Sequence, residues 1–539
     1  MIKKYYGSLS AVGGSAAVPF VQKIFCKMAQ LQKIFKHMKR LLLLLFLPFS
    51  LFSQKHDNVW LLGYNSSGFF EGAEGIIRNF SDDEPLFEYF SMPYDLNVSS
   101  SSISDKSGNL LFYTNGCKVI NSNNELMLNG DDINSGEVHE IQCLYGYTAG
   151  TQSTLILPMP NNDSIYYLFH KRIIYEYNPN LDVITDKLLY STININLDNG
   201  LGRVVLKNEE LWTEPQTYGE ITAVKHANGE DWWIVSIADE SNEYLFFLLD
   251  QEGVNFHHSQ NIGTGVSENG SNGGGQTNFS PNGEKFIRYN SGDGIFLFDF
   301  DRATGNLENF QEIVLDDSIL SGGAIISPNS QFLYISAEVS LYQFNLNAEN
   351  IANSKILIDT FDGFSSPFPT TFFRGQLAPD CKIYINTFAT VDVLHVIHNP
   401  DELGTACNFE QHAVQLPFNH RRTLPHFPNY RLGPLVEGEE PLPPCELVVD
   451  VEEIAPKAQE PSLHIYPNPA YDIIQLEAPS ALEKEITYQI IDSYGRALEQ
   501  GSFLQSKELN ISPYPPGIYY CQIKKGQNII DSKRFVIIR

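Results

Sequence analysis

From residue 58 onward, apolar residues come in short runs broken by Gly, Asn, Asp and Pro, with little of the 3.6-residue spacing of a helix face. Runs such as "IYINTF" and "GIFLFDFD" are rich in aromatic and β-branched residues, which suit a pleated surface. The pattern predicts an all-β protein. A turn followed by two apolar strands recurs six times. The copies are "DKSGNLLFYTNGCKVIN" from Asp105, "NNDSIYYLFHKRIIYEYN" from Asn161, "ANGEDWWIVSIADESNEYLFFLLD" from Ala227, "SPNGEKFIRYNSGDGIFLFDFD" from Ser280, "SPNSQFLYISAEVSLYQFNLN" from Ser327 and "APDCKIYINTFATVDVLHVIHN" from Ala378.

The equivalent turn positions are Gly108, Asp163, Gly229, Gly283, Ser330 and Cys381, spaced 55, 66, 54, 47 and 51 residues apart. Pro281, Pro328 and Pro379 fix φ at the start of a turn, and Asn-Gly supplies the positive φ of a tight hairpin. Ser330 and Cys381 replace that Gly, so their turns are expected to differ slightly. Ahead of several turns lies another run: "GGGQTNF" (273–279), "GGAII" (322–326) and "FRGQLA" (373–378). Each reads as an innermost strand, where Gly permits crowding at an axis. A sheet repeated at about 50-residue intervals is the mark of a β-propeller.

The six repeats span about residues 97–416. "NVWLLGY", "EGIIRNF" and "PLFEYF" remain at one end, and "LPHFPNYRL" (424–432) at the other. Three strands from the front and one from the back would complete a seventh blade and hide both open edges. Seven blades are therefore expected over 54–432, with six or eight as alternatives.

The flanks differ in character. Lys39-Arg40 precedes the uncharged run "LLLLLFLPFSLF", which reads as a signal peptide ending near Ser53-Gln54. Residues 1–53 are a leader, and Met38 is an alternative start. The run is short for a membrane span of about 20 residues, so no transmembrane segment is expected once the signal is removed. Residues 433–461 hold six Pro and eight Asp/Glu against one Lys, an extended and self-repelling linker. The whole chain carries a formal charge of −28. Removing the eight Lys/Arg of 1–53 leaves 28 basic against 64 acidic residues, or −36. That balance argues against nucleic-acid partners and anionic lipid.

Residues 462–539 return to strand patterning and suggest a small Ig-like β-sandwich. Here "YPNPAYDIIQLE", "IIDSYGRAL" and "LNISPYPPGIYYCQIKKGQNIIDSKRFVI" resemble the type A C-terminal sorting domain of the type IX secretion system of Bacteroidota. By that resemblance Tyr466, Pro467, Asn468 and Pro469 open the domain, Gly495 and Arg496 form its central turn, and Gly517, Tyr519 and Lys533 belong to its closing strands. The resemblance implies a partner, the type IX machinery, and a destination outside the outer membrane, with the passenger released or held at the surface. The passenger is also similar to exported Bacteroidota propellers through "SGNLLFYTNG", "FSPNGEKF", "FDFDRATGNL" and "LAPDCKIYI", a likeness that carries blade geometry and no single activity.

Candidate chemistry is sparse. The loop "GTGVSENGSNGGG" lacks the Gly-Lys-Ser/Thr of a phosphate-binding loop. His395 and His398 fall on opposite faces of a strand, and adjacent His257 and His258 fail as a metal pair for the same reason. Asp299, Asp301 and Glu308 surround a hairpin turn, with calcium only a minor alternative, so no metal or cofactor is expected. Of the cysteines, 381–407 is the favoured disulfide and 117–143 the second choice, both permitted by export. Gln152, Glu220, Gln276, Arg374 and Gln376 fall on presumed innermost strands, facing the axis or its rim, where propeller ligands gather. Arg421, Arg422 and His426 form a basic island able to receive a carboxylate or acidic sugar, or to bridge neighbouring blades.

No catalytic triad, nucleophile elbow or paired carboxylate stands out. The expected function is a secreted or surface-displayed module that binds an extracellular glycan or protein. The alternative is an extracellular hydrolase or lyase acting on a polysaccharide or lactone at the propeller mouth. Deleting 462–539 is expected to leave the passenger in the periplasm, scored by cell fractionation; surface display of that truncation would contradict the sorting assignment.

Overall fold

The computed structural model describes residues 54–66, 72–82, 86–143, 146–147, 150–177, 181–266, 275–290, 292–315, 321–436, 444, 463–468, 470–477, 486–492, 496–525 and 528–538. The leader, Pro469, Gly495 and most of the linker lie outside them. The chain divides into two units, Met1–Val448 and Val449–Arg539.

Among the described residues the first unit forms seven antiparallel sheets. The first contains Val59–Gly63, Gly75–Asn79 and Glu88–Tyr89; the second contains Ser101–Ser104, Leu110–Thr114 and Val119–Asn121. The other five are four-stranded meanders. They begin at Thr154–Pro158, Thr222–Lys225, Gln276–Phe279, Gly323–Ile326 and Phe372–Leu377, and end at Arg203–Trp212, Gly253–Asn261, Asn306–Ile313, Ile356–Thr360 and Phe409–Arg421. The architecture is a β-propeller. Aromatic side chains fill the spaces between neighbouring sheets: Phe112 meets Tyr166 at 5.8 Å, Tyr244 meets Phe298 at 5.1 Å, and Trp60 meets Tyr384 at 5.5 Å, joining the first sheet to the last. Each such ring buries enough apolar surface to stabilise by about 1.5–3 kcal/mol. This is why so many Phe, Tyr and Trp occur in the repeats.

In the five four-stranded sheets the first strands run from a mouth end to a turn end, where the repeat turns at Asp163, Gly229, Gly283, Ser330 and Cys381 sit. Val59–Gly63 runs the other way. Ser104 N–H donates to His56 O at 2.9 Å, while Leu96 N–H donates to Gly63 O at 3.2 Å, so the start of Val59–Gly63 lies beside the end of Ser101–Ser104. It therefore takes a second-strand position. The innermost position beside it is filled by the residues after Phe409–Arg421. Gly63 N–H donates to Thr423 Oγ1 at 3.0 Å at the mouth end, and Arg431 grips Asp57 with two bonds of 2.5 and 2.6 Å at the turn end. The two chain ends thus meet antiparallel. The expected strand over 424–432 does not form: the segment is irregular, because Pro425 and Pro428 have no N–H to give to a ladder. The contacts also continue past 432, since Arg302 donates to Gly433 O at 2.6 Å and Leu435 N–H to Ala227 O at 2.8 Å.

The repeat turns are more alike than expected. Ser330 and Cys381 adopt φ of 61° and 64°, the same left-handed region as Gly108, Gly229 and Gly283 at 94°, 77° and 76°. The disulfide is a correction: Cys117 is bonded to Cys143, with Cα atoms 5.7 Å apart, and Cys381 is not bonded to Cys407. Cys381 is held in the turn ahead of Ile383–Thr387, beside Asp380. Cys407 is buried at the far end of the same sheet's last connection, in a cluster with Tyr334 and Leu341 of the neighbouring sheet. The 117–143 pair instead joins the bend ahead of the short strand Val119–Asn121 to the C-cap of the helix Glu137–Gln142.

Among the described residues of this unit five histidines are buried: His56, His170, His395, His420 and His426. Burial lowers His56 and His420 to about 4 and His170, His395 and His426 to about 3. His170 receives Asn134 and Ser191 as partners at 2.7 and 3.0 Å, as a neutral ring can.

In the second unit, His464–Tyr466, Ile473–Glu477 and Ser506–Asn510 form one sheet. Ala497–Phe503, Ile486–Asp492, Gly517–Lys525 and Asn528–Ile537 form the other. Ile474, Leu476, Ile490, Cys521, Ile523 and Phe535 pack into one core, as in a small sandwich. Asn468 Oδ1 accepts Val536 N–H at 2.9 Å, and Arg496 folds back on Asp492 at 2.8 Å. Tyr519 is buried and donates to Pro515 O at 2.7 Å. Lys533 pairs with Cys521 across the sheet, while Tyr466 is exposed.

Two outcomes follow. Arg431→Ala strands the Asp57 carboxylate at the closure and is expected to cost about 3–5 kcal/mol, read as a lowered denaturation midpoint. For the histidines the folded values lie below the unfolded value near 6.5, so the unfolded chain takes up protons first as pH falls. Stability is expected to be complete above about pH 6.5 and to fall as pH drops toward 4, by up to about 1.4 kcal/mol per pH unit for each histidine. A melting temperature constant over that range would contradict the assignment.

Candidate functional site

The propeller axis is filled by its own chain. Thr423, Leu424, Pro425, His426, Phe427 and Tyr430 are buried. Tyr430 donates to Ile156 O at 2.7 Å and lies 5.6 Å from Trp232, and Asn429 donates to Pro281 O at 2.8 Å. Thus residues 423–435 reach the first, third, fourth, fifth and seventh sheets. Pro425 lines a small cavity with Ser101, Ser102 and Tyr113 of the second sheet, and Phe427 lines another with Ile325 and Ile326 of the sixth.

Several of the expected ligand residues serve this filling. Gln152 Nε2 donates to a ring nitrogen of His426 at 2.9 Å and to Thr277 O at 2.8 Å, and its Oε1 accepts Thr277 N–H at 2.7 Å. Gln276 donates to Gly375 O at 2.8 Å. Gln376 accepts Phe427 N–H at 3.2 Å and donates to Leu377 O. These amides act as ties across the axis. Glu220 stands apart from them: it accepts Arg288 Nε at 2.9 Å, and Asp293 accepts the same guanidinium at 2.8 Å. Arg288 and Glu220 are both fully desolvated, a buried charge triad in which Glu220 was expected at the axis and Arg288 and Asp293 were overlooked.

Toward the mouth the structure brings the arginines together. Arg374 is 3% exposed; its backbone N–H donates to Asn386 Oδ1 at 2.9 Å and its Nη2 to Arg422 O at 3.0 Å. Arg422 donates through Nε to Phe388 O at 2.9 Å, and its guanidinium lies 3.5 Å from the centre of the exposed Phe388 ring. Burial, then the neighbouring Arg422, lowers Arg374 to about 9; burial, then Arg421, lowers Arg422 to about 10. Arg421 is exposed at the end of Phe409–Arg421. None of the three has a carboxylate partner among the described residues, whereas Arg78, Arg172, Arg288, Arg431 and Arg496 do.

Gln152, Glu220 and Arg422 are non-glycine residues with φ of 56°, 60° and 55°, a conformation that costs about 1–3 kcal/mol when the surroundings enforce it. Sequence patterning has no signal for this, since neither Gly nor Asn stands there. At the turn end, a small cleft is lined by Asp57, Asn278, Pro281, Gln376, Asn429 and Arg431, and its charged pair is already committed to the ring closure. Cys117, His139 and Cys143 bring three donor atoms within 4.8 Å, but the two sulfurs are joined to each other and His139 Nδ1 bonds Ile133 O at 2.8 Å.

No curated protein matches the chain in sequence. Solved structures to which it is similar include a protein from Lactobacillus plantarum at 13% identity, with 68% of this chain and 98% of that one covered and a TM-score of 0.39. A periplasmic gluconolactonase of Pseudomonas aeruginosa gives 12%, 67%, 97% and 0.37 in the same terms. The Dos1 propeller gives 12%, 62%, 90% and 0.29. Likenesses of this strength carry nothing about chemistry. No helix among the described residues is long and apolar enough to cross a membrane. Residues 464–538 match the secretion system C-terminal sorting domain family, so the propeller carries a type IX sorting tail that directs it to secretion or the outer surface.

Proposed function

We propose that the chain is exported through the inner membrane by its signal peptide and through the outer membrane by the type IX machinery, and that its propeller then binds an extracellular glycan or protein without transforming it. One observation carries the reading: the axis that would house a catalytic centre is occupied by residues 423–435, and Glu220, the sole carboxylate among the candidate side chains, is held by Arg288. A general acid or base must be able to reach a substrate proton, and a paired glycosidase needs two carboxylates spaced about 5–10 Å apart around a bond. A carboxylate held by a buried guanidinium is not placed to reach a substrate proton. Binding makes a lighter demand, a rigid surface with a few directed donors, which the mouth end supplies.

Purified mature chain is expected to retain ligands from a glycan and protein array while releasing no reducing ends from the same glycans and opening no sugar lactones. Turnover of a retained glycan, abolished by Glu220→Gln in a variant with unchanged melting temperature, would overturn this reading in favour of a hydrolase or lyase.

A further inference from the structure

The outermost strand of the fourth sheet, Gly253–Asn261, departs from the alternation expected of it. A regular strand sends adjacent His257 and His258 to opposite faces, which would rule out a shared ligand. Here the register against Glu243–Asp250 slips. Phe246 faces His258 while Phe247 faces Phe256, so His257 is an extra residue, a β-bulge. The bulge re-aims its side chain. Both rings now lie on the face that packs toward the fifth sheet: His257 stands edge-on to Trp233 at 4.9 Å, and His258 stacks on Phe246 at 4.7 Å. Their Nδ1 atoms are 2.8 Å apart. The rings are also held from behind. Trp233 and Phe246 are buried, and Trp233 donates Nε1–H to Arg302 O at 2.8 Å. The Gly305 carbonyl lies close enough to His258 to favour a proton on its ring. Because Nδ1 faces His257, that proton belongs on Nε2, and the Nδ1 lone pair is left directed at the neighbour. Other partly exposed histidines are committed differently: His226 Nδ1 accepts Asn228 N–H at 3.1 Å, and His398 and His412 reach Glu410 and Asp362 at 3.0 and 3.1 Å.

We propose that His257 and His258 chelate one divalent transition-metal ion through their Nδ1 atoms, with copper(II) the preferred ion and water completing its shell. The site lies on an outermost strand, away from the axis, and stands independently of the ligand-binding reading above. Geometry selects the metal. Two imidazole nitrogens bound at about 2.0–2.1 Å to one ion are about 2.9 Å apart at a right angle and about 3.3–3.4 Å apart at a tetrahedral one. The observed 2.8 Å suits the right angle of a tetragonal ion, copper(II) or nickel(II), and is short for tetrahedral zinc. Of those two, copper(II) binds nitrogen ligands more tightly. Calcium and magnesium take oxygen ligands, which these rings do not offer. Access and charge favour a cation here. His257 is exposed, so an ion reaches the paired nitrogens from solvent once the His257 proton sits on Nε2. The formal charge of −28 raises the concentration of cations at the surface.

The test is calorimetric titration of the mature chain with copper(II) chloride, with glycine present as a weak competitor for stray sites. An equivalent of copper(II) is expected to bind that His257→Gln and His258→Gln each weaken at least about tenfold, because the second nitrogen acts at high effective concentration once the first is bound. His464→Gln, at an exposed position in the second unit, should leave that equivalent unchanged. Zinc(II) is expected to bind at least about tenfold more weakly than copper(II). Electron paramagnetic resonance of the loaded parent should show a tetragonal copper signal split by two nitrogens, and by fewer in either variant. His257→Gln, on the exposed bulge, should keep the metal-free melting temperature of the parent, so a loss of copper there is not a loss of fold. Parental affinity in either variant would overturn the proposal and leave the 2.8 Å contact as an N–H···N hydrogen bond. A signal split by one nitrogen would overturn the chelate, and zinc(II) bound as tightly as copper(II) would overturn the tetragonal assignment.

Discussion

The ion pair between Arg431 and Asp57 fixes the two ends of the propeller to each other, and the rest of the first unit depends on it. A ring of sheets has no intrinsic reason to stay shut: each sheet packs on its neighbours, but the first and last must be joined by something other than chain connectivity. Here the join is made by a segment too rich in proline to pair as a strand. Its ends are pinned by Thr423 against Gly63 and Arg431 against Asp57, and its side chains are inserted into the axis. Because Phe427 and Tyr430 occupy the space on which the sheets converge, the same residues that close the ring also fill its centre. Closure and core are one device.

That arrangement decides where chemistry can occur. Polar residues on innermost strands look, in one dimension, like ligands awaiting a substrate. In three dimensions Gln152, Gln276 and Gln376 spend their amides on the backbone of other sheets and on the closing segment. The amides of the innermost strands are thereby spent at the axis, while Arg374 bonds the backbone of Arg422, whose guanidinium lies over the exposed Phe388 ring.

Fold and tail were legible because they rest on repetition. Six turns at similar spacing reveal the sheets, and the ordered motifs from Tyr466 to the closing strands reveal the sorting domain. The disulfide was not legible, since sequence separation is equal for the 117–143 and 381–407 pairs and only the fold shows that Cys407 turns toward Tyr334. The irregular closing segment was half legible: its position followed from counting strands, but the effect of Pro425 and Pro428 was underweighted against the apolar pattern. The site was least legible. The gathering of Arg374, Asn386 and Arg422 draws on two strands 12 residues apart and on a residue 48 positions after Arg374, and the left-handed backbone of Arg422 leaves no compositional mark.

The closing segment also gives the molecule a direction in time. Synthesis delivers the first sheet hundreds of residues before the chain that must lie beside it. Until Arg431 and Leu435 have emerged, Val59–Gly63 exposes a bare edge and the aromatic centre stands open to water. The propeller is therefore completed only when nearly the whole passenger is made, just ahead of the acidic spacer and tail. Removing the tail beyond that spacer leaves every fastener of the ring in place; losing the spacer and the segment from Thr423 to Leu435 as well undoes the ring itself.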